Sequence, residues 1–190
     1  LAEHAQSDVR QAILMFMVDF ANPAYAGQPL FEQARARFEP LRGSSSIETI
    51  RETKRLIEVI AILGGQWPHS SFMVPGGVTN LPNTAELTNC RAVTGRFRRW
   101  YEKQVLGCSL ERWAGVDSLA ALECWLEEDP AHADSDLGWL LRLGRAAGLD
   151  ALGAGCGNFL SYGLADMPAD TTVTARGAGP SLVAAGFARG

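Results

Sequence analysis

One stretch of this chain concentrates residues able to do chemistry in a fixed geometry. It is Gly64-Gly65-Gln66-Trp67-Pro68-His69-Ser70-Ser71-Phe72-Met73-Val74-Pro75-Gly76-Gly77-Val78-Thr79, with four glycines and two prolines in sixteen residues. Paired glycines permit backbone angles and close approaches that a Cβ blocks, and each proline fixes its own φ. Such a loop is shaped to lie against something and to present His69 and Trp67 in one orientation, and held loops carry function disproportionately. His69 has two readings. It meets a partner or a cofactor, or its imidazole satisfies backbone carbonyls in a tight turn.

The other chemistry-bearing residues are scattered. Cys90, Cys108, Cys124 and Cys156 contain no pair three apart, so they lack the close spacing with which cysteines converge on a metal. Cys90 and Cys124 sit inside helical, apolar runs and read as small buried hydrophobes. Cys108 and Cys156 lie near glycines and have no assigned role. Four cysteines make no disulfide framework. His4 reads as a helix-face residue and His132 as an exposed one in a polar loop. Glu127, Glu128 and Asp129 read as a solvated cluster at a helix end. Gly153-Ala154-Gly155-Cys156-Gly157 is glycine-rich but lacks the preceding strand and following helix that aim amides at phosphate.

The elements that position the loop are mostly helical. A first helix spans residues 3–20 and ends at Asn22-Pro23, because the residue before proline avoids the α region. A short helix covers Leu30 to Phe38. A third, with Ser46 as N-cap, runs to Leu63 with Ile47, Ile50, Ile57, Ile60 and Ala61 as its apolar face, and stops at Gly64-Gly65. Asn83 with Glu86 three residues later has capping-box form, starting a helix from Thr84 to Leu106 that Gly107 ends. Leu87, Cys90, Phe97, Tyr101 and Val105 form its inward face. Two shorter helices follow, Ser118 to Glu127 and Leu137 to Ala147, the latter with Asp136 as N-cap and Gly148 as stop. Residues 127–136 read as a loop. From Phe159 the pattern turns to short apolar pieces, with Thr171 to Ala175 and Leu182 to Phe187 as strand candidates. The fold class is α+β, predominantly α-helical, in a single domain over residues 1–190.

Composition fits a globular chain. The apolar fraction is 47% and the net charge −4. No apolar run reaches the roughly 18 residues that span a bilayer. A pI near 5.4 gives no global attraction for nucleic acid. The one basic cluster, Arg96, Arg98, Arg99 and Lys103, reads as a solvated helix face or subunit contact.

The loop also carries a resemblance. Gly64-Gly65-Gln66-Trp67-Pro68-His69, followed by Gly76-Gly77-Val78-Thr79, resembles the Gly-Gly-x-x-Pro-His and Gly-Gly-Val-Thr words of nickel–iron hydrogenase large subunits. Ala2-Glu3-His4 resembles the family's Ala-Glu-His-type helix. Phe16-Met17-Val18-Asp19-Phe20-Ala21 resembles the Phe-Met-x-Asp-Phe-Ala stretch of its uptake and hydrogen-sensing branches. Gly148 to Gly153 and Asn158 to Gly163 are similar to its approach to the sheet region. The resemblance implies the central fragment of a longer large subunit, within an enzyme that oxidises H2 reversibly to protons and electrons.

It further implies that the Ni-Fe centre is held by two Cys-x-x-Cys pairs, one before Leu1 and one after Gly190. This segment then supplies scaffold and the interface to an iron–sulfur small subunit. His69 is implied to lie near the partner's closest iron–sulfur cluster, with Gln66 and Trp67 as neighbours of that subunit. Gln66 stands where the family commonly has Lys or Arg, and Ser7-Asp8 where it often has Ser-His. The implied location is cytoplasmic, or membrane-associated through partner subunits. Two alternatives share the ancestry: a non-catalytic paralogue that scaffolds assembly of the metal centre, and a metal-free relative of the quinone-binding subunit of respiratory complex I. The Trp-Pro-His loop favours the hydrogenase side over the latter.

Overall fold

A computed structural model describes residues 2–151, 159–162 and 185–188. Where the sequence suggests one domain, contacts separate two compact units, Leu1–Ala147 and Gly148–Gly190.

The first unit is helical. Helix α1, Ala2–Gln11, passes into a π-helical turn at Ala12–Phe16 and a 3-10 segment at Met17–Ala21, so the expected uniform helix over 3–20 is three pieces. The reason lies in spacing. Val9, Ile13 and Met17 are buried at intervals of four, wider than the 3.6-residue period. A π turn absorbs the mismatch and keeps all three inward. The run ends at Asn22 as expected, where ψ is 130° and the side chain accepts from Ala24 N at 3.0 Å. Helix α2, Phe31–Phe38, buries Phe31, Ala34 and Phe38, with the Phe38 ring 6.4 Å from that of Phe20.

Helix α3, Ser44–Leu56, corrects two expectations. It begins at Ser44, and Ser46 lies buried inside it, its hydroxyl donating to Phe38 O at 3.1 Å. Its buried face is Ser45, Ser46, Thr49, Glu52, Thr53 and Leu56, while Ile47, Ile50, Ile57 and Ile60 are only half-buried. Small hydroxyl side chains go inside because they satisfy themselves locally, as Thr53 Oγ1 does on Thr49 O. Ile57 interrupts the rod, and α4, Glu58–Gly64, continues to the expected glycine stop, with Gly65 at φ +79°.

Helix α5, Thr84–Trp100, starts with the expected capping box: Asn83 N donates to Glu86 Oε2 at 2.7 Å, and Glu86 N to Asn83 Oδ1 at 3.0 Å. A π turn at Tyr101–Leu106 extends it to Gly107 at φ +72°. Cys90 and Leu106 are buried, but Leu87 is 47% exposed, contrary to its expected inward place. Helix α6, Leu110–Ala114, was not anticipated, and α7, Leu119–Glu128, is capped by Ser118. The expected loop over 127–136 contains α8, Pro130–Asp134, with Asp129 as N-cap and Pro130 in the first turn. Helix α9, Asp136–Ala146, is capped by the Ser135 hydroxyl, which accepts from Gly138 N at 3.0 Å; Asp136 is not the cap.

In the second unit, Leu149–Ala151 forms a 3-10 turn. Strands β3, Phe159–Tyr162, and β4, Ala185–Ala188, pair antiparallel, Phe159 opposite Ala188. The first unit also contains two short strands, β1 (Met73–Val74) and β2 (Gly77–Val78). β4 overlaps the expected strand Leu182 to Phe187, while Thr171 to Ala175 lies outside the described residues. The fold is α+β and predominantly helical. No described helix is long and apolar enough to cross a membrane.

Candidate functional site

The loop from Gly64 to Thr79 leaves α4 through a fastened joint. Asn80 Nδ2 donates to Ile62 O and Leu63 O, both at 2.9 Å, and so satisfies carbonyls that the helix end leaves open. A Cβ on Gly64 would stand 2.9 Å from Ser70 Cβ, so the returning chain needs glycine there. Gln66 Nε2 donates to His69 O at 2.7 Å, bracing the turn from inside, and His69 itself takes φ +62°. The Trp67–Pro68 peptide is cis.

Beyond it, β1 and β2 form a two-residue hairpin, Val74 opposite Gly77. Pro75 followed by Gly76 at φ +91° is the order a type II turn requires. Thr79 N closes the base onto Phe72 O at 2.8 Å. The hairpin was not anticipated, although a Pro-Gly step between Val74 and Val78 is a recognised turn signal.

The loop's side chains face outward. Trp67 is 42% exposed, Met73 75% and Leu81 84%, with Val74 and Val78 also exposed. Residues 65–71 are all exposed, His69 among them. Among the described residues the His69 imidazole has no hydrogen-bond partner; only its backbone oxygen is engaged. The three sequence-predicted residues are thus all exposed, and Gln66 in addition braces the turn through His69 O. Met73, Val74 and Val78 are thus exposed apolar side chains on one hairpin, with Trp67 and Leu81 exposed on either side of it in sequence.

The remaining candidates resolve differently. His132 is buried, correcting its expected exposure. Its ring stacks on Trp125 at 5.0 Å and its Nδ1 lies 2.6 Å from Trp125 O. Trp125 Nε1 donates to Cys108 Sγ at 3.2 Å, which gives Cys108 a structural partner. Cys124 is exposed, not buried as expected, whereas Cys90 is buried. Cys156 lies outside the described residues. Glu128 pairs with Arg112, which holds its carboxyl below the usual range, and Asp129 caps α8. His4 is exposed on α1. In the basic cluster, Arg96 grips Glu52 at 3.0 and 3.1 Å, and Arg98 donates to Glu102 and Glu111. Among the described residues no three His, Cys, Asp or Glu side chains could hold a metal ion.

Sequence reasoning missed two buried carboxylates, Glu52 on α3 and Asp136 at the start of α9. Asp136 is fully buried, and its Oδ1 accepts from Ser45 Oγ at 2.6 Å, Arg37 Nε at 2.9 Å and Gln104 Nε2 at 3.3 Å. It ties α2, α3, the end of α5 and α9 together. Burial pushes its carboxyl up, against the pull of those three donors.

No protein-family model matches the chain.

Proposed function

We propose that residues 1–190 belong to the large subunit of a nickel–iron hydrogenase, in which the Gly64–Thr79 loop docks on an iron–sulfur small subunit. The reading rests on one observation: the Gly-Gly-x-x-Pro-His and Gly-Gly-Val-Thr words fall on a loop that is braced by its own hydrogen bonds and exposes Trp67, Met73, Val74 and Val78. A docking loop needs both properties, since pre-organisation lowers the entropy lost on association and exposed Trp and Met supply the buried area.

The whole enzyme, on this reading, oxidises H2 reversibly, and electrons leave through the partner's clusters. The resemblance puts nickel and iron on two Cys-x-x-Cys pairs outside residues 1–190, and no catalytic step is assigned to these residues. His69 has a role it is free to perform. An imidazole without an internal partner can donate a hydrogen bond to a cluster ligand across the interface and tune its potential. Trp67 flanks that contact. The assembly is cytoplasmic, or reaches a membrane through partner subunits.

The test uses the intact complex. Replacing His69 with Ala should change the potential or spin signal of the nearest cluster while nickel content stays the same. Unchanged cluster signals and electron-transfer rates would remove His69 from the interface.

A further inference from the structure

Helices α1 and α5, with the start of α6, flank a cleft of about 580 Å³. Small-molecule sites commonly occupy about 300–1,000 Å³. The walls are mostly apolar. Val9 of α1 is buried there, and Phe97 and Leu110 are half-buried. The rings of Phe97 and Tyr101 lie 6.2 Å apart at an angle of 24°, which gives the α5 wall an aromatic face.

The same wall is hollowed at Gly95, inside a helix of 17 residues. Only proline is a worse helix former than glycine. No close packing demands a glycine there, since a Cβ would meet only the Arg99 guanidinium, at 3.5 Å. Its effect is to leave room in the cleft.

Two opposite charges line the cleft, one on each wall: Asp8 from α1 and Arg91 from α5. Among the described residues neither side chain has a hydrogen-bond or ion-pair partner, and of Arg91 only the carbonyl oxygen accepts a side-chain bond, from Thr94. They do not pair with each other. The second cation, Arg98, is already bonded to Glu102 and Glu111.

We propose that the α1–α5 cleft binds a zwitterionic small molecule with one apolar arm, of the class of aromatic α-amino acids. Its carboxylate meets Arg91, its ammonium meets Asp8, and its arm lies on Phe97, Tyr101 and Val9. Charge selects the ligand. A hydrocarbon leaves both charges unanswered, an anion alone is repelled by Asp8, and a cation alone by Arg91. Guanidinium–carboxylate hydrogen bonds are charge-assisted and stronger than neutral ones. No residue of the Gly64–Thr79 loop lines this cleft, so the inference does not rest on the hydrogenase reading.

Calorimetric titration of the intact protein with L-phenylalanine tests it, beside phenethylamine and hydrocinnamate, which each lack one charge. The expected result is saturable binding of L-phenylalanine, with each analogue about tenfold weaker or worse, as loss of one charged hydrogen bond implies. Gly95→Met favours the helix but fills the cleft, and should abolish binding without lowering Tm. Arg91→Gln should weaken L-phenylalanine and hydrocinnamate about tenfold and leave phenethylamine unchanged. No saturable binding, as when another protein segment fills the cleft, overturns the proposal. So does equal affinity for the three probes, which marks a plain apolar groove, or full affinity in Gly95→Met.

Discussion

Arg37 Nε donates to Asp136 Oδ1 at 2.9 Å, joining α2 to α9 across 99 residues of sequence. Arg37 is itself only slightly exposed and lies 5.9 Å from the Trp139 ring centre, so the pair is largely withdrawn from solvent. Replacing Arg37 with Met keeps volume but removes the cationic partner of a buried carboxylate, which keeps only the neutral donors Ser45 and Gln104. The expected loss is about 3–5 kcal/mol, the usual cost of breaking a buried pair from one side. Denaturant unfolding of the variant measures it; a loss under about 1 kcal/mol would show that the pair contributes little.

The two buried carboxylates respond to pH with opposite signs. Asp136 has its carboxyl raised in the folded state, so the native protein binds that proton more readily than the unfolded chain. Its contribution is most favourable at low pH and declines as pH rises through the folded value. At Glu52, burial pushes the carboxyl up, but Arg96 and Arg55 outweigh it and the net direction is down. That contribution is present above the ordinary glutamate range and is lost as pH falls through the depressed value. Unfolding curves from pH 3 to 7 should therefore show a shallower decline with rising pH in Asp136→Asn, and a shallower acid-side loss in Glu52→Gln. Parallel curves for wild type and both variants would contradict these assignments.

His132 holds α7 to α8 by its stack on Trp125 and its bond to the Trp125 carbonyl. His132→Phe keeps the stack but leaves that buried carbonyl unpaired, at an expected cost of about 1–3 kcal/mol. His132→Ala loses both and should cost about 1 kcal/mol more. Chemical denaturation followed by tryptophan fluorescence gives both numbers, and equal costs would mean that the stack contributes nothing.

Two glycines with left-handed backbones should behave differently. A Cβ on Gly107 would meet Ala131 O at 2.2 Å, whereas one on Gly65 meets nothing within 4 Å. Gly65→Ala should cost only the left-handed penalty of about 1–2 kcal/mol. Gly107→Ala adds a backbone clash and should cost clearly more, or prevent folding. Thermal unfolding compares them, and equal shifts would refute the clash.

Much of this architecture is legible in the chain, because local signals dominate it. Asn83 with Glu86, and Gly65 and Gly107 as stops, announce their helix ends through backbone chemistry that tertiary context did not override. The inward face of α3 is not legible, because hydrophobicity ranks Ile47 and Ile50 above Ser45 and Thr49. The interior there is polar, organised around Asp136 and Glu52, whose partners Arg37, Gln104 and Arg96 come from other helices. His132 is hidden for the same reason: its burial depends on Trp125, although Asp129-Pro130 already has the form of a cap and first turn. In the Gly64–Thr79 loop the residue types are readable, but Gln66 as brace and His69 as the outward group depend on which side chain reaches His69 O.

The central claim is that this chain belongs to a nickel–iron hydrogenase large subunit. The most direct test is to purify the intact polypeptide with whatever co-purifies, then measure nickel and hydrogen-dependent reduction of an artificial electron acceptor. The account predicts stoichiometric nickel, an iron–sulfur partner, and activity. Absence of nickel and of hydrogen-dependent reduction would contradict it and leave the assembly scaffold or the metal-free relative.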